Sequence, residues 1–336
     1  MKRWRGRREE GRSMRYRALG QTGFEVSDVA CGLWGMSGWS GSEDAESLHA
    51  LQLAVDLGCN FFDTAWAYGN GKSDGFLGKI LAANPGRRLV AASKIPPKNL
   101  KWPARSNYDY NDVFPTDHVF AHADMIRHAL GVDTIDLLQF HVWDDTWTDR
   151  REFRETVEKL KHDGIVTAFG LSLNRWQPAN GIRAIQTGLV DAVQVIYNLF
   201  DQNPEDELFP ACEQRKVGVI ARVPLDEGSL GGKMTRETRF PAGDWRAGYF
   251  NADNLKNTMD HVDAVRRDLP DGMSMPEAAI RFILASPVVS TVIVGMRREA
   301  HVRSNLAVSD AGGLDTGLLA RMRRHRWERE PAPWSD

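Results

Sequence analysis

Eight times between residues 26 and 296 a short apolar run gives way to an amphipathic stretch, and no long linker breaks the rhythm. The runs are VSDVACGLW (26–34), NFFDTA (60–65), RLVAASKI (88–95), IDLLQFHV (135–142), IVTAFGLS (165–172), DAVQVIYN (191–198), VGVIARVP (217–224) and STVIVGM (290–296). Several are apolar throughout their centres, as strands become when both faces of a parallel sheet are covered. Between them, helical patterns fit 42–58, 115–131, 149–164, 178–187, 204–216, 253–268, 276–286 and 298–307. Ser42 reads as the N-cap of the first and Gly58 as its C-cap. Eight such repeats predict an α/β chain folded as a single-domain (β/α)8 barrel. The rival, a doubly wound open sheet, normally has fewer strands and carries GxGxxG after one of them. The stretch GLWGMSGWSG (32–41) has glycine at every third position, which is the wrong spacing. GKS at 71–73 resembles the end of a phosphate loop, but that motif needs glycine at 66, where Trp66 stands.

The ends of the chain predict little order. MKRWRGRREEGRS is basic but has no apolar segment of the kind a signal peptide needs. Residues 1–13 are expected to be a disordered tail, 14–325 the barrel and 326–336 a C-terminal tail, with Met14 a possible start of the folded chain. Net charge is −2, so nothing pulls the chain toward nucleic acid, and no run of 18 apolar residues spans a membrane. Three scattered cysteines, Cys31, Cys59 and Cys212, form no CxxC and predict reduced thiols in a cytoplasm.

In a barrel, residues at the C-terminal ends of different strands converge on one mouth. The second run ends on Asp63, with Tyr68 in the turn that follows; the third ends on Lys94 and the fourth on His141. Each has a mundane reading: a cap, a loop shield, a solvated strand edge, a satisfied core imidazole. Four on three consecutive strand ends make better sense together. A phenol with pKa near 10 is a poor acid at neutral pH unless a neighbouring charge stabilises its anion. An ammonium does that, a carboxylate keeps the ammonium charged and aimed, and an imidazole can orient a carbonyl oxygen. Such a group suits reduction of a carbonyl by hydride.

From about Tyr16 to Asn305 the chain resembles the aldo-keto reductase family. The segment FDTAWAYGNGKSDGFLGKIL, with ASK around Lys94 and DLLQFHVWD around His141, carries the resemblance. It implies a barrel that binds NADP(H) without a Rossmann fold. It also implies Tyr68 as general acid, Lys94 and Asp63 as its tuning pair, and His141 as substrate orienter. FGLSLN is similar to the stretch that holds the nicotinamide carboxamide, giving Ser172 and Asn174, and Gln194 completes those contacts. Arg222 takes the place of the residue that stacks on the nicotinamide. PLDEGSLGGK (224–233) is similar to the loop over the pyrophosphate, with Leu225, Gly228 and Leu230 as contacts, although Asp226 and Glu227 bring unwelcome negative charge. VGMRREAHVRSN (294–305) is similar to the adenosine-phosphate site, giving Gly295, Arg297, Arg298, His301 and Asn305. The alternative for Arg297 and Arg298 is a solvated basic turn paired with Glu299.

The expected activity is therefore NADPH-dependent reduction of an aldehyde, ketone or sugar, or oxidation of the corresponding alcohol. Relatives of this fold that serve as channel-associated β subunits, binding cofactor and sensing redox state, are a second reading. A metal-dependent barrel hydrolase is a third. For it, His118 and His122 stand at i,i+4 but lack an acidic third ligand nearby, so no metal site is expected. Long irregular stretches at 96–114 and 226–252 follow strands, where barrels place substrate loops. Trp102, Tyr108, Tyr110, Trp143 and Trp147 could stack a sugar ring or an aromatic ketone there, or simply pack the loop.

Overall fold

In the computed structural model, residues 13–37 and 42–329 are described. Most of the N-terminal tail, the glycines at 38 and 41, and residues 330–336 lie outside them.

Eight strands close into an all-parallel barrel, each paired with its neighbours in chain order. Their ranges are β3 (Val29–Gly32), β4 (Phe61–Asp63), β5 (Val90–Ile95), β6 (Ile135–Phe140), β7 (Val166–Ser172), β8 (Ala192–Ile196), β9 (Gly218–Arg222) and β10 (Val289–Gly295), and β10 returns to pair with β3. They are preceded by an antiparallel hairpin, β1 (Tyr16–Ala18) with β2 (Glu25–Ser27). The run 26–34 is thus two strands, where its apolar pattern predicts one. The break falls at Asp28, whose buried carboxylate accepts from Ser309 Oγ at 2.6 Å.

The helices are α1 (Asp44–Asp56), α2 (Lys72–Ala83), α3 (Tyr110–Val113), α4 (Thr116–Leu130), α5 (Arg151–His162), α6 (Ile182–Gln186), α7 (Leu208–Arg215), α8 (Arg246–Tyr249), α9 (Ala252–Asp268), α10 (Met275–Leu284), α11 (Glu299–Ala311) and α12 (Thr316–Arg323). Glu43, not Ser42, occupies the N-cap position of α1. Helix α5 follows from its sequence directly: Phe153, Val157 and Leu160 recur at helical spacing and are all buried. Neighbouring helices approach closely where the chain is small. A Cβ at Gly78 of α2 would lie 2.4 Å from the Ala129 carbonyl oxygen of α4. No helix among the described residues is long and apolar enough to cross a membrane.

Strand alternation sorts the apolar residues into two cores. A large one lies between strands and helices; its densest part stacks Phe114 on Phe140 at 3.9 Å and sets Phe169 edge-on to Phe140 at 4.9 Å. A smaller one fills the barrel with Ala30, Phe61, Val90, Leu137, Ile220 and Ile293. Leu19 and Val26 of the hairpin belong to this inner core, so the hairpin plugs the N-terminal end of the barrel. The Arg17 guanidinium pins that plug by donating to the carbonyls of Leu284, Ser286 and Val289. With its floor apolar and sealed, the barrel can offer polar chemistry only at the other end.

Candidate active site

The same alternation that buries Phe61 and Ala92 inside the barrel turns Asp63 and Lys94, two residues further on, into the interior of the C-terminal mouth. There Lys94 is fully buried, and its Nζ donates to both Asp63 carboxylate oxygens, at 2.8 and 2.7 Å, and to the Thr64 carbonyl at 2.8 Å. Tyr68 reaches the pair from the turn between β4 and α2. Its ring centroid lies 5.2 Å from Lys94 Nζ. His141, the first residue after β6, sets its ring edge-on to Tyr68 at 5.7 Å. The structure thus brings all four strand-end residues together.

Their electrostatics differ in one respect from the sequence-based picture. Burial pushes the Tyr68 phenol above its usual value, and the Lys94 ammonium pulls against this without overcoming it. The molecule as it stands therefore holds a protonated phenol at neutral pH, with no net acidification of the group. For Lys94, burial is the largest influence and favours the neutral amine, but Asp63 and Tyr68 together outweigh it and leave the ammonium above the usual lysine value. Burial, followed by the positive charges of Lys94 and Arg222, holds the His141 imidazole well below its ordinary value, so the ring is neutral.

The residues proposed for the cofactor fall into three places. At the mouth, Ser172 closes β7 and Asn174 donates through Nδ2 to the Ala104 carbonyl at 3.1 Å. Gln194 donates through Nε2 to Asp63 Oδ1 at 2.8 Å, which joins it to the Asp63–Lys94 pair. Arg222 ends β9 and donates to the Leu173 carbonyl at 3.0 Å. In the second place, Leu225 leads into a tight turn, Asp226–Gly231, that contains Gly228 and the buried Leu230. In the third, Gly295 ends β10, and Arg297 and Arg298 precede α11, where His301 and the largely buried Asn305 lie. No side chain caps the N-terminus of α11. Burial comes first in holding the His301 imidazole below its ordinary value, and Lys233, Arg298 and Arg297 add their positive charge. Glu299, the alternative partner for the arginines, pairs instead with Arg303 at 2.9 Å and His49 at 3.3 Å.

Several atoms along this surface fit a ligand. Among the described residues, the buried Arg222 Nε, His141 Nδ1, Gln139 Nε2 and Trp176 Nε1 have no hydrogen-bond partner. A Cβ at Gly231 or Gly295 would meet nothing within 4 Å, and one at Gly228 nothing closer than 3.9 Å. Donors and open backbone are what an extended ligand bearing an amide and phosphates requires.

Asp226 and Glu227 are neutralised by groups the sequence reading missed. Arg175, just past β7, lies 3.5 Å from Asp226 Oδ1 and 3.3 Å from Glu227 Oε1. Arg329 donates to Asp226 Oδ1 at 2.8 Å. Of the loop aromatics, Tyr110, Trp143 and Trp147 are buried and pack the large core. Trp102 alone reaches the site, edge-on to His141 at 5.8 Å. Trp34 and Trp245, which sequence did not single out, lie 5.8 Å apart, with Trp34 6.5 Å from Tyr68. All three tryptophans are about two-fifths exposed, an unusual position for indoles unless they line a mouth. His118 and His122 bond to backbone carbonyls, those of Pro96 and His118.

Comparison with known proteins agrees with the barrel fold. Residues 28–326 match the model of the aldo/keto reductase family. Aldo-keto reductase YhdN of Bacillus subtilis is 27% identical over 307 residues, which cover 87% of each chain. The NADH-specific methylglyoxal reductase of Escherichia coli is 25% identical, over 86% of this chain and 91% of its own. Among solved structures, the glycerol dehydrogenase AKR11B4 of Gluconobacter oxydans superposes with a TM-score of 0.76 at 26% identity, covering 94% of this chain and 97% of its own.

Proposed function

The chain belongs to the aldo/keto reductase family, and from that premise we propose that it reduces a small aldehyde, ketone or sugar carbonyl with NADPH, Tyr68 being the proton donor. The observation that carries this reading is the fully buried Lys94–Asp63 pair held directly beneath the Tyr68 phenol. When bound, the nicotinamide supplies hydride to the carbonyl carbon. Tyr68 gives its proton to the oxygen as negative charge develops there, and the Lys94 ammonium stabilises the phenolate left behind. Neutral His141 donates to the same oxygen and orients it, while Trp34, Trp102 and Trp245 exclude water from the approach. Ser172 with the carbonyl oxygens of Asn174 and Gln194 would hold the carboxamide, and the Arg222 guanidinium would stack on the ring. A steady-state screen of aldehydes, ketones and aldoses with NADPH and NADH in parallel tests the proposal; absence of turnover with every carbonyl and both cofactors refutes it.

Cofactor choice is a separate expectation, because one relative, the methylglyoxal reductase of Escherichia coli, is described as NADH-specific. Arginines at a helix N-terminus oppose the dipole's preference for anions. Arg297 and Arg298 sit there beside Lys233 and His301, while Glu299 is engaged elsewhere. A 2′-phosphate would bring negative charge to this group of cations, assisted by the uncapped N–H groups of α11. A charge-assisted hydrogen bond is worth about 1.5–3 kcal/mol. Losing one such bond weakens NADPH binding roughly 10- to 150-fold, so the double variant Arg297→Ala/Arg298→Ala is expected to lose at least that much, with NADH little changed. Paired fluorescence titrations decide it; equal losses for the two cofactors would mean that these arginines do not read the phosphate.

A further inference from the structure

The Asp226–Gly231 turn is bent against its own preferences. Val223, Asp226 and Glu227 adopt φ of 56°, 44° and 54°, left-handed values that non-glycine residues resist. Three such residues in five positions persist only where the surroundings dictate them. Here the surroundings are ionic. Asp226 is completely buried; its Oδ1 takes the Arg329 bond, and its Oδ2 accepts from Ser229 Oγ at 2.6 Å. Asp201 accepts from Arg329 Nε at 3.2 Å and lies 3.6 Å from Arg175. Arg175 and Arg329 are 11% and 6% exposed, so both guanidiniums work out of water.

Arg329 arrives from the far end of the chain. After α12 the backbone is pinned by Trp327, whose N–H donates to the Phe200 carbonyl at 3.0 Å and whose indole stacks on His261 at 4.0 Å. Arg326 adds a two-pronged contact with Asp206 at 2.7 and 2.6 Å. A segment expected from sequence to be a tail thus crosses to the turn that joins Arg222, beside Tyr68, to Lys233, beside the α11 cations. A ligand reaching from Tyr68 to those cations passes along this turn.

Buried ion pairs are weak sources of stability compared with apolar packing, so their presence at this turn calls for another reason. We propose that Arg175 and Arg329 are positioning residues for the dinucleotide, locking the Asp226–Gly231 turn in its bent form so that the C-terminal segment governs how slowly cofactor leaves. This rests on the nicotinamide-dependent reading above.

The test compares wild type with Arg329→Gln and Arg329→Lys in the full chain. Hydrogen–deuterium exchange of residues 223–232 is measured without cofactor, and NADPH dissociation by stopped-flow fluorescence. Arg329→Gln, which removes the guanidinium's contacts with both Asp201 and Asp226, is expected to speed both by at least about tenfold, with the carbonyl KM unchanged. Arg329→Lys, keeping the charge on a simpler head, should recover part of each and guards against a Gln variant that folds poorly. A variant with a lower melting temperature but wild-type dissociation would overturn the proposal, because the contact would then be structural only. So would unchanged exchange at 223–232. Wild-type protein that binds neither NADPH nor NADH would instead defeat the nicotinamide reading, and this proposal with it.

Discussion

Tyr68→Phe is expected to lower kcat for carbonyl reduction by about 10²–10⁴-fold, the usual contribution of a positioned general acid, while leaving NADPH affinity near wild type. The phenyl ring keeps the packing against Trp34 and His141. Lys94 keeps its bonds to Asp63 and Thr64, so the site does not collapse when the hydroxyl is removed. What disappears is the proton at the oxygen where charge develops, an interaction made in the transition state and absent from cofactor binding. Single-turnover kinetics, where chemistry is isolated from release, gives the cleanest reading. Retention of more than roughly a tenth of the wild-type rate would remove Tyr68 from the role of acid.

Lys94→Met strikes the same chemistry and the fold together. Without the ammonium nothing nearby opposes the effect of burial on the phenol as directly. Activity at pH 7 should be largely lost, and in any remaining pH–rate profile the alkaline limb, where the acid loses its proton, should move upward. Asp63 would be left inside the barrel with only Gln194 as a donor, and stranding one partner of a buried pair costs about 3–5 kcal/mol. The linkage has a definite sign. Lys94 titrates above the usual lysine value in the folded state, so the wild type holds the pair's stabilisation below that usual value. It loses it as pH rises through the folded one. The stability gap between wild type and variant, measured by urea unfolding, should therefore be full at neutral pH and narrow in strong alkali. A pH–rate profile identical to wild type would break the coupling between Lys94 and Tyr68.

What sequence made legible follows from where each residue gets its role. Asp63, Lys94 and His141 derive theirs from position at a strand end, and strand ends can be read from apolar runs. Their convergence follows once the barrel is recognised. Arg175, Arg329, Trp34 and Trp245 derive theirs from contacts across the fold: Arg329 meets Asp226 across 103 positions of chain. No local pattern marks such a residue, although an acidic pair in a supposed phosphate loop was itself a sign that buried cations must lie opposite. The split of residues 26–34 was hidden for a similar reason. Asp28 looks like a lone polar interruption until Ser309 arrives to satisfy it. The aromatics show the converse: Trp143 and Trp147 advertise a site and belong to the core.

The hairpin that stops the barrel's N-terminal end has a kinetic meaning as well. With Leu19, Val26, Phe61 and Leu137 packed below, Lys94 and Asp63 sit at the closed end of a blind alley. Among the described residues that end is filled with apolar side chains, which leaves the mouth as the route for solvent. In the mechanism proposed above, a proton given up by Tyr68 is replaced from the opening the product has just left, which ties rearming the acid to emptying the site. Heavy water should accordingly slow recovery after a single turnover; recovery indifferent to heavy water, with product still bound, would reveal a second door.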